Sequence, residues 1–313
     1  MSIGNSSFKV PYDLRPCKQI ERRMMLHSLQ GLQEIGFPIS KYQYTGFGSL
    51  FFVDYILIRK LLGIYDMVSV EINEEIESRV RYNVPHNDIK IEIGDVGDFI
   101  PCLSKDKQHL LWLDYDDVFQ SFMADHLIEA CSVLSAGSVI AITVDVDYKS
   151  LDDPTNAVWF NHFVDQAEDF LPPGVTKNQF DPEGISFMVS EVISAIMSKI
   201  TYRKGMSFVP MFNFIYADGH EMQTLGGMIC DTASKSRLKK YNWAQFPFLR
   251  KKLEQEPYRI KSPVLTRKER LYLDTHLPAE AGWKPDVFTL RDAQLEQYRE
   301  VYKYCPMYAE LLL

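Results

Sequence analysis

The sequence lacks most of the signatures that would place it at once. Its five cysteines (Cys17, Cys102, Cys131, Cys230 and Cys305) stand far apart, with no Cys-x-x-Cys pair among them. An odd count without paired spacing argues against a disulfide scaffold and for reduced thiols. The seven histidines show neither His-x-His nor His-Glu-x-x-His spacing, so no zinc site is expected. There is no Gly-x-Ser-x-Gly, which leaves serine hydrolysis without support. No apolar run approaches the roughly 18 residues of a membrane span, and the first residues lack the basic start and apolar stretch of a signal peptide. A cytoplasmic protein without a membrane partner is therefore expected.

What is present is ordinary in amount and uneven in distribution. Of 313 residues 46% are hydrophobic and 24% charged, as in a globular chain, with a formal charge of −8. The stretch from Lys235 to Arg270 runs against that balance. It holds twelve Lys or Arg and three acids, a formal +9, which leaves −17 on the rest of the chain. Tyr241, Trp243, Phe246, Phe248 and Tyr258 interleave with these cations. Basic and aromatic residues together suit a nucleic acid or another phosphate-rich partner. A solvated face whose rings pack inward is the plainer alternative.

Periodicity predicts a helix over Arg15–Leu32, with Pro16 in its first turn. Its Lys18, Glu21, Arg22 and Arg23 read as a solvated charged face; placed over a substrate, Lys18 and Arg22 would meet an anion instead. Strands and helices then alternate. Strands are expected at 42–45, 67–71, 89–93, 110–114 and 138–144, with helices at 50–62, 74–83, 96–103 and 118–134 between them. Such alternation implies a parallel sheet covered on both faces. Helices over 157–171 and 185–202 follow. Two apolar runs, 207–216 and 221–230, then flank Ala217-Asp218-Gly219-His220, a hairpin signal. The expected organisation is an N-terminal helical cap over 1–40, an α/β domain over 41–231, and a basic, mostly helical extension over 232–313 that could serve a homodimer.

In an open parallel sheet, ligands collect at the carboxyl ends of the strands. Gly46 and Gly48 follow the first strand, Glu71 ends the second, Asp95 follows the third, and Leu113-Asp114-Tyr115-Asp116 closes the fourth. This ordered set, with its terminal hairpin, resembles the class I S-adenosylmethionine-dependent methyltransferases, stand-alone bacterial O-methyltransferases in particular. The resemblance covers residues 40–231 and implies a Rossmann-like sheet of seven strands, five parallel plus an antiparallel C-terminal hairpin. It implies that Tyr44, Gly46, Phe47, Gly48, Glu71, Asp95 and Val96 bind S-adenosylmethionine. Asp114, Tyr115 and Asp116 would stand beside the methyl acceptor, itself unidentified. The family carries an acid two residues before its first motif glycine, where this chain has Tyr44.

Catechol-type O-methyltransferases also hold Mg²⁺ with an Asp after the fourth and fifth strands. Asp114, Gly137 and Asp145 resemble that layout, though Asp145 lies further beyond Gly137 than the pattern places it. Helix capping is the alternative role for these carboxylates. Methyl transfer to oxygen or nitrogen needs positioning above all. Asp114 or Asp116 is expected to accept a hydrogen bond or proton from the acceptor while Tyr115 packs on it. Two other functions compete. A non-catalytic nucleotide or S-adenosylmethionine sensor would keep the fold and recruit a partner. A nicotinamide-dependent oxidoreductase would need a third glycine where Phe51 stands.

Overall fold

The computed structural model describes residues 14–252 and 255–307. Glu254, the first thirteen residues of the expected cap and the last six of the extension lie outside them. From α1 (Pro16–Glu34) the chain passes through β1 (Gln43–Gly46), α2 (Val53–Leu62), β2 (Asp66–Glu71), α3 (Glu77–Asn83) and β3 (Ile89–Ile93). It continues with α4 (Val96–Phe99), β4 (His109–Val118), α5 (Ser121–Val133), β5 (Val139–Asp145), α6 (Asn156–Ala167) and α7 (Gly184–Arg203). The hairpin β6 (Ser207–Ala217) and β7 (Glu221–Cys230) leads into α8 (Thr232–Leu238), β8 (Tyr258–Arg259), α9 (Arg267–His276) and α10 (Asp292–Val301).

The strands form one sheet in the order β3-β2-β1-β4-β5-β7-β6-β8. Strands β1 to β5 pair in parallel, and β7 runs antiparallel between β5 and β6. The expected five-plus-hairpin arrangement is therefore present, but the sheet has eight strands where seven were expected. The eighth is Tyr258–Arg259, pairing with Phe214 and Ile215 at the β6 edge. Two residues carry no alternation to read, and this pairing is set by tertiary contact.

Two other expectations change. The helix expected from Val118 begins at Ser121, because β4 stays extended past Asp114 and Val118 pairs with Asp145 after a register shift. The extension is less helical than expected, its three short helices being separated by long irregular segments.

Alternation along the strands divides the core. Tyr44, Leu110, Trp112, Ala141 and Phe214 face α1 and α2. Val68, Leu111, Leu113, Ile142 and Leu225 face α5, α6 and α7. By length and composition α7 could cross a membrane, yet 61% of its apolar window is buried, with Val189, Ile193 and Ile196 in the core of the second face.

The rings of the basic stretch turn inward. Tyr241, Phe246 and Phe248 are buried in the same cluster as α1. The Tyr241 hydroxyl donates to the Ser28 carbonyl at 2.8 Å, and Phe246 meets the His27 ring edge-on at 5.0 Å. Gly31 makes this possible, since a Cβ there would stand 3.0 Å from Phe246. Phe246→Ala is expected to lose about 3–5 kcal/mol, the usual cost of emptying a core aromatic site. Denaturant unfolding monitored by circular dichroism measures it.

Candidate functional site

Strand β1 lies where the strand order reverses, between β2 and β4, so its carboxyl end opens onto the crevice expected to hold a ligand. The turn that follows is packed too tightly for side chains at its glycines. A Cβ on Gly46 would come within 2.5 Å of the Tyr44 hydroxyl, and one on Gly48 would run into the Ser69 hydroxyl. That hydroxyl instead accepts the Gly48 N–H at 3.0 Å. From α2 the Tyr55 hydroxyl reaches the carbonyls of Gly46 (2.7 Å) and Val68 (2.8 Å), tying the turn to β2. Ser49 and Phe52 adopt left-handed backbone angles, φ 52° and 49°. Such conformations cost energy for residues with a Cβ and concentrate at functional turns. The Thr45 and Ser49 hydroxyls are buried there without hydrogen-bond partners.

Glu71 ends β2 half-buried, one carboxylate oxygen accepting the Asn73 N–H at 3.0 Å. Burial raises its pKa, an effect that Asp116 reinforces and that the Asn73 and Ile72 amides oppose. Asp95 caps α4, accepting the Gly97 N–H at 2.7 Å, and keeps about half its side chain exposed. Val96, the first residue of α4, is buried.

Asp114 meets a charge cluster that the sequence presented as solvent-facing. Lys18, Glu21 and Arg22 are buried under α1, contrary to the expected solvated face. The Lys18 ammonium donates to Asp114 Oδ1 at 2.7 Å and to the Tyr216 hydroxyl at 3.0 Å, and lies 4.5 Å from the centre of the Trp112 ring. Arg22 pairs with Asp54 from the first turn of α2. From the β6–β7 turn, Asp218 accepts the N–H groups of Cys17 (3.0 Å) and Lys18 (2.8 Å), so the hairpin caps α1 and fixes Lys18 over the strand end.

Burial alone would raise the Asp114 pKa. Lys18 and Arg22 outweigh that and hold it below the ordinary carboxylate range. Lys18 likewise stays protonated despite burial, because Asp114 and Glu21 surround it. Glu21 behaves differently. It lies 3.4 Å from the Lys18 ammonium, an ion-pair distance, yet neither of its oxygens makes a hydrogen bond. Burial therefore prevails over the lysine and raises its pKa.

Because β4 stays extended, successive residues leave on opposite sides. Asp114 faces α1, whereas Tyr115 packs on the other face, its hydroxyl hydrogen-bonded with His126 Nδ1 at 2.7 Å and its ring meeting Phe47 edge-on at 5.3 Å. Asp116 is exposed, near enough to Glu71 to raise its pKa. Gly46, Gly48, Glu71, Asp95 and Asp114 thus end neighbouring strands along one edge. The sequence did not single out His126 or Asp54, nor the burial of Lys18, Glu21 and Arg22. One signal was there for α1: Met24, Met25 and Leu26 follow one another, so apolar residues occupy more than one of its faces.

The acids do not form the expected Mg²⁺ layout. Asp114 is neutralised by Lys18, while Asp145 accepts from the Asp147 N–H (2.7 Å) and the Ser150 hydroxyl (2.8 Å). Among the described residues no three metal-ligating side chains gather.

Trm1 from Pyrococcus horikoshii, solved with S-adenosyl-L-methionine, is 13% identical over 70% of this chain and 58% of its own, with a TM-score of 0.42. TYW2 from P. horikoshii, solved with MeSAdo, is 11% identical over 64% of this chain and 61% of its own, with a TM-score of 0.38. The chain thus spans about three fifths of the length of these structures. No curated protein matches it. The family model described as “Putative O-methyltransferase” matches residues 10–313, and the chain belongs to that family.

Proposed function

We propose that this protein transfers a methyl group from S-adenosylmethionine to an oxygen acceptor at the carboxyl ends of β1 and β4. One observation carries the reading: the tight glycine turn, Glu71, Asp95 and Asp114 end neighbouring strands in the order β3-β2-β1-β4, around the point where the strand order reverses. The residues fit the cofactor. Buried hydroxyls of Thr45 and Ser49 lack partners beside the turn, Glu71 is a carboxylate suited to a ribose diol, and Asp95 is one suited to an adenine amino group.

When bound, the cofactor supplies a sulfonium methyl that an acceptor lone pair displaces in line. The chain's own residues position the partners. Asp114 keeps 22% of its side chain exposed, so a substrate can reach it. Held ionised by Lys18 and Arg22, it is a weak proton acceptor and a good hydrogen-bond acceptor. Its role is to orient the acceptor hydroxyl rather than to strip its proton.

Calorimetric titration with S-adenosylmethionine tests the reading. Binding by the wild type and its loss in the Glu71→Ala, Asp95→Ala double variant is the expected result. No wild-type binding at millimolar cofactor overturns it. Binding without turnover of labelled methyl across a broad acceptor panel would favour the sensor.

Exposed Lys235, Lys239, Lys240, Lys251 and Lys252 support contact between the extension and a phosphate-rich acceptor. With Tyr241, Phe246 and Phe248 buried, such contact would engage phosphates rather than stack bases.

A further inference from the structure

Asp95 does not stand alone at the end of β3. The imidazole of His126, from α5, lies between it and Tyr115. Tyr115 is largely buried, and burial raises its phenol pKa, so it keeps its proton. Its hydroxyl lies 2.7 Å from His126 Nδ1. With the phenol proton directed at Nδ1, that nitrogen is the acceptor, and a neutral imidazole carries its hydrogen on Nε2. Nε2 in turn stands 3.4 Å from Asp95 Oδ1, a close polar contact without hydrogen-bond alignment. Burial lowers the His126 pKa against the pull of Asp95, Asp125 and Asp98, which favours this neutral form.

Two further features show that the approach is built into the fold. Gly97 clears the path: a Cβ at that position would stand 2.5 Å from Nε2. The Gly97 N–H also binds Asp95 Oδ1, at 2.7 Å, so the oxygen that the imidazole stands against is already fixed from the backbone. The second oxygen remains on a side chain that is 48% exposed. On its other side Tyr115 meets Phe47 of the glycine turn, and Phe122 packs on both Tyr115 and His126. One imidazole therefore links the ends of β1, β3 and β4.

We infer that His126 is a positioning residue for the cofactor: its Nε2 edge, set against Asp95 Oδ1, confines the rotamer of Asp95 and leaves the remaining carboxylate oxygen facing the amino edge of a purine. This inference rests on the proposed S-adenosylmethionine site. It assigns His126 to ligand affinity and purine selectivity rather than to the methyl-transfer step.

The test is calorimetric titration of the full chain with S-adenosylhomocysteine and with its inosine counterpart, which carries an oxo group where adenine has the amino. His126→Ala is expected to weaken S-adenosylhomocysteine binding about tenfold, through a less confined Asp95 carboxylate. It should also narrow the preference over the inosine analogue. His126→Gln, whose amide nitrogen reaches the Nε2 position, should restore most of the affinity. His126→Asn, which reaches only the Nδ1 position, should not. Adding His126→Ala to Asp95→Ala should cost nothing further. Loss of affinity that Gln and Asn rescue equally, or that adds fully to Asp95→Ala, overturns the inference. So does unchanged affinity in His126→Ala. A wild type that binds neither compound overturns the underlying reading and this inference together.

Discussion

Lys18→Met is expected to lower stability by about 3–5 kcal/mol at neutral pH, the usual cost of removing one partner from a buried ion pair. The thioether fills most of the lysine's volume, so the loss is electrostatic rather than a cavity. Asp114 loses its ammonium partner at 2.7 Å, the Tyr216 hydroxyl loses its donor, and the contact with the Trp112 ring is weakened. At the entropy typical of a chain of 313 residues this is roughly 5–8 °C in Tm. The pH dependence identifies the cause. In the wild type Asp114 has a depressed folded pKa, so its contribution is present above its ordinary value near 3.8 and is lost as pH falls through the folded value. Without Lys18 much of that depression goes. The gap between wild type and variant should therefore close as pH falls below about 4. Urea unfolding at pH 7 and pH 3 measures it, and a gap independent of pH would mean that Lys18 acts through packing alone. Lys18→Arg should not substitute, because a planar fork does not fit a site built around a point charge.

The sheet was legible because its signals are local. Alternating apolar runs, the Gly46 and Gly48 turn and the Asp218-Gly219 hairpin each fix their own element, and their order fixes the crevice. The charged interior was not legible for a physical reason. Lys18, Glu21 and Arg22 have the i, i+3, i+4 spacing of an ordinary surface helix, and that spacing is the same whether water or a buried carboxylate faces it. What buries them is remote in sequence: Asp218 caps their helix, Asp54 pairs with Arg22, and the strand end beneath carries Asp114. The same limit applies to Tyr115. Reading β4 as finished at Asp114 placed Asp114, Tyr115 and Asp116 together in a loop, whereas four more extended residues send Tyr115 to the opposite face, toward His126. The rings of the basic stretch show the converse. Their composition suited nucleic acid, and burial beside Gly31 gave Tyr241 and Phe246 a packing role.

Asp114→Asn and Glu21→Gln are each expected to be mild, and together severe. Asparagine keeps the shape of Asp114 and can still accept from Lys18. It also removes the negative charge that helps raise the Glu21 pKa. Glu21 then ionises at lower pH and takes over the neutralisation of Lys18, 3.4 Å away, so the cost stays near 1 kcal/mol, as for a replaced rather than deleted charge. Glu21→Gln acts with the opposite sign. A carboxyl whose folded pKa is raised contributes stability below its ordinary value near 4.5, and that contribution is lost as pH rises through the folded value. Its amide has no such dependence, so the single variant should gain on the wild type as pH rises above about 4.5. In the double variant both nearby carboxylates are gone and a buried ammonium is left without a counter-ion. The loss should reach about 3–5 kcal/mol at pH 7. With its folded pKa now depressed, Lys18 sheds its proton more readily in the folded chain than in the unfolded one, and stability should recover as pH rises. Additive losses across the four proteins would show that Glu21 does not respond to the charge on Asp114. A coupling well above the sum of the singles, shrinking toward alkaline pH, would establish that the two carboxyls share one lysine and that either can serve as its counter-ion.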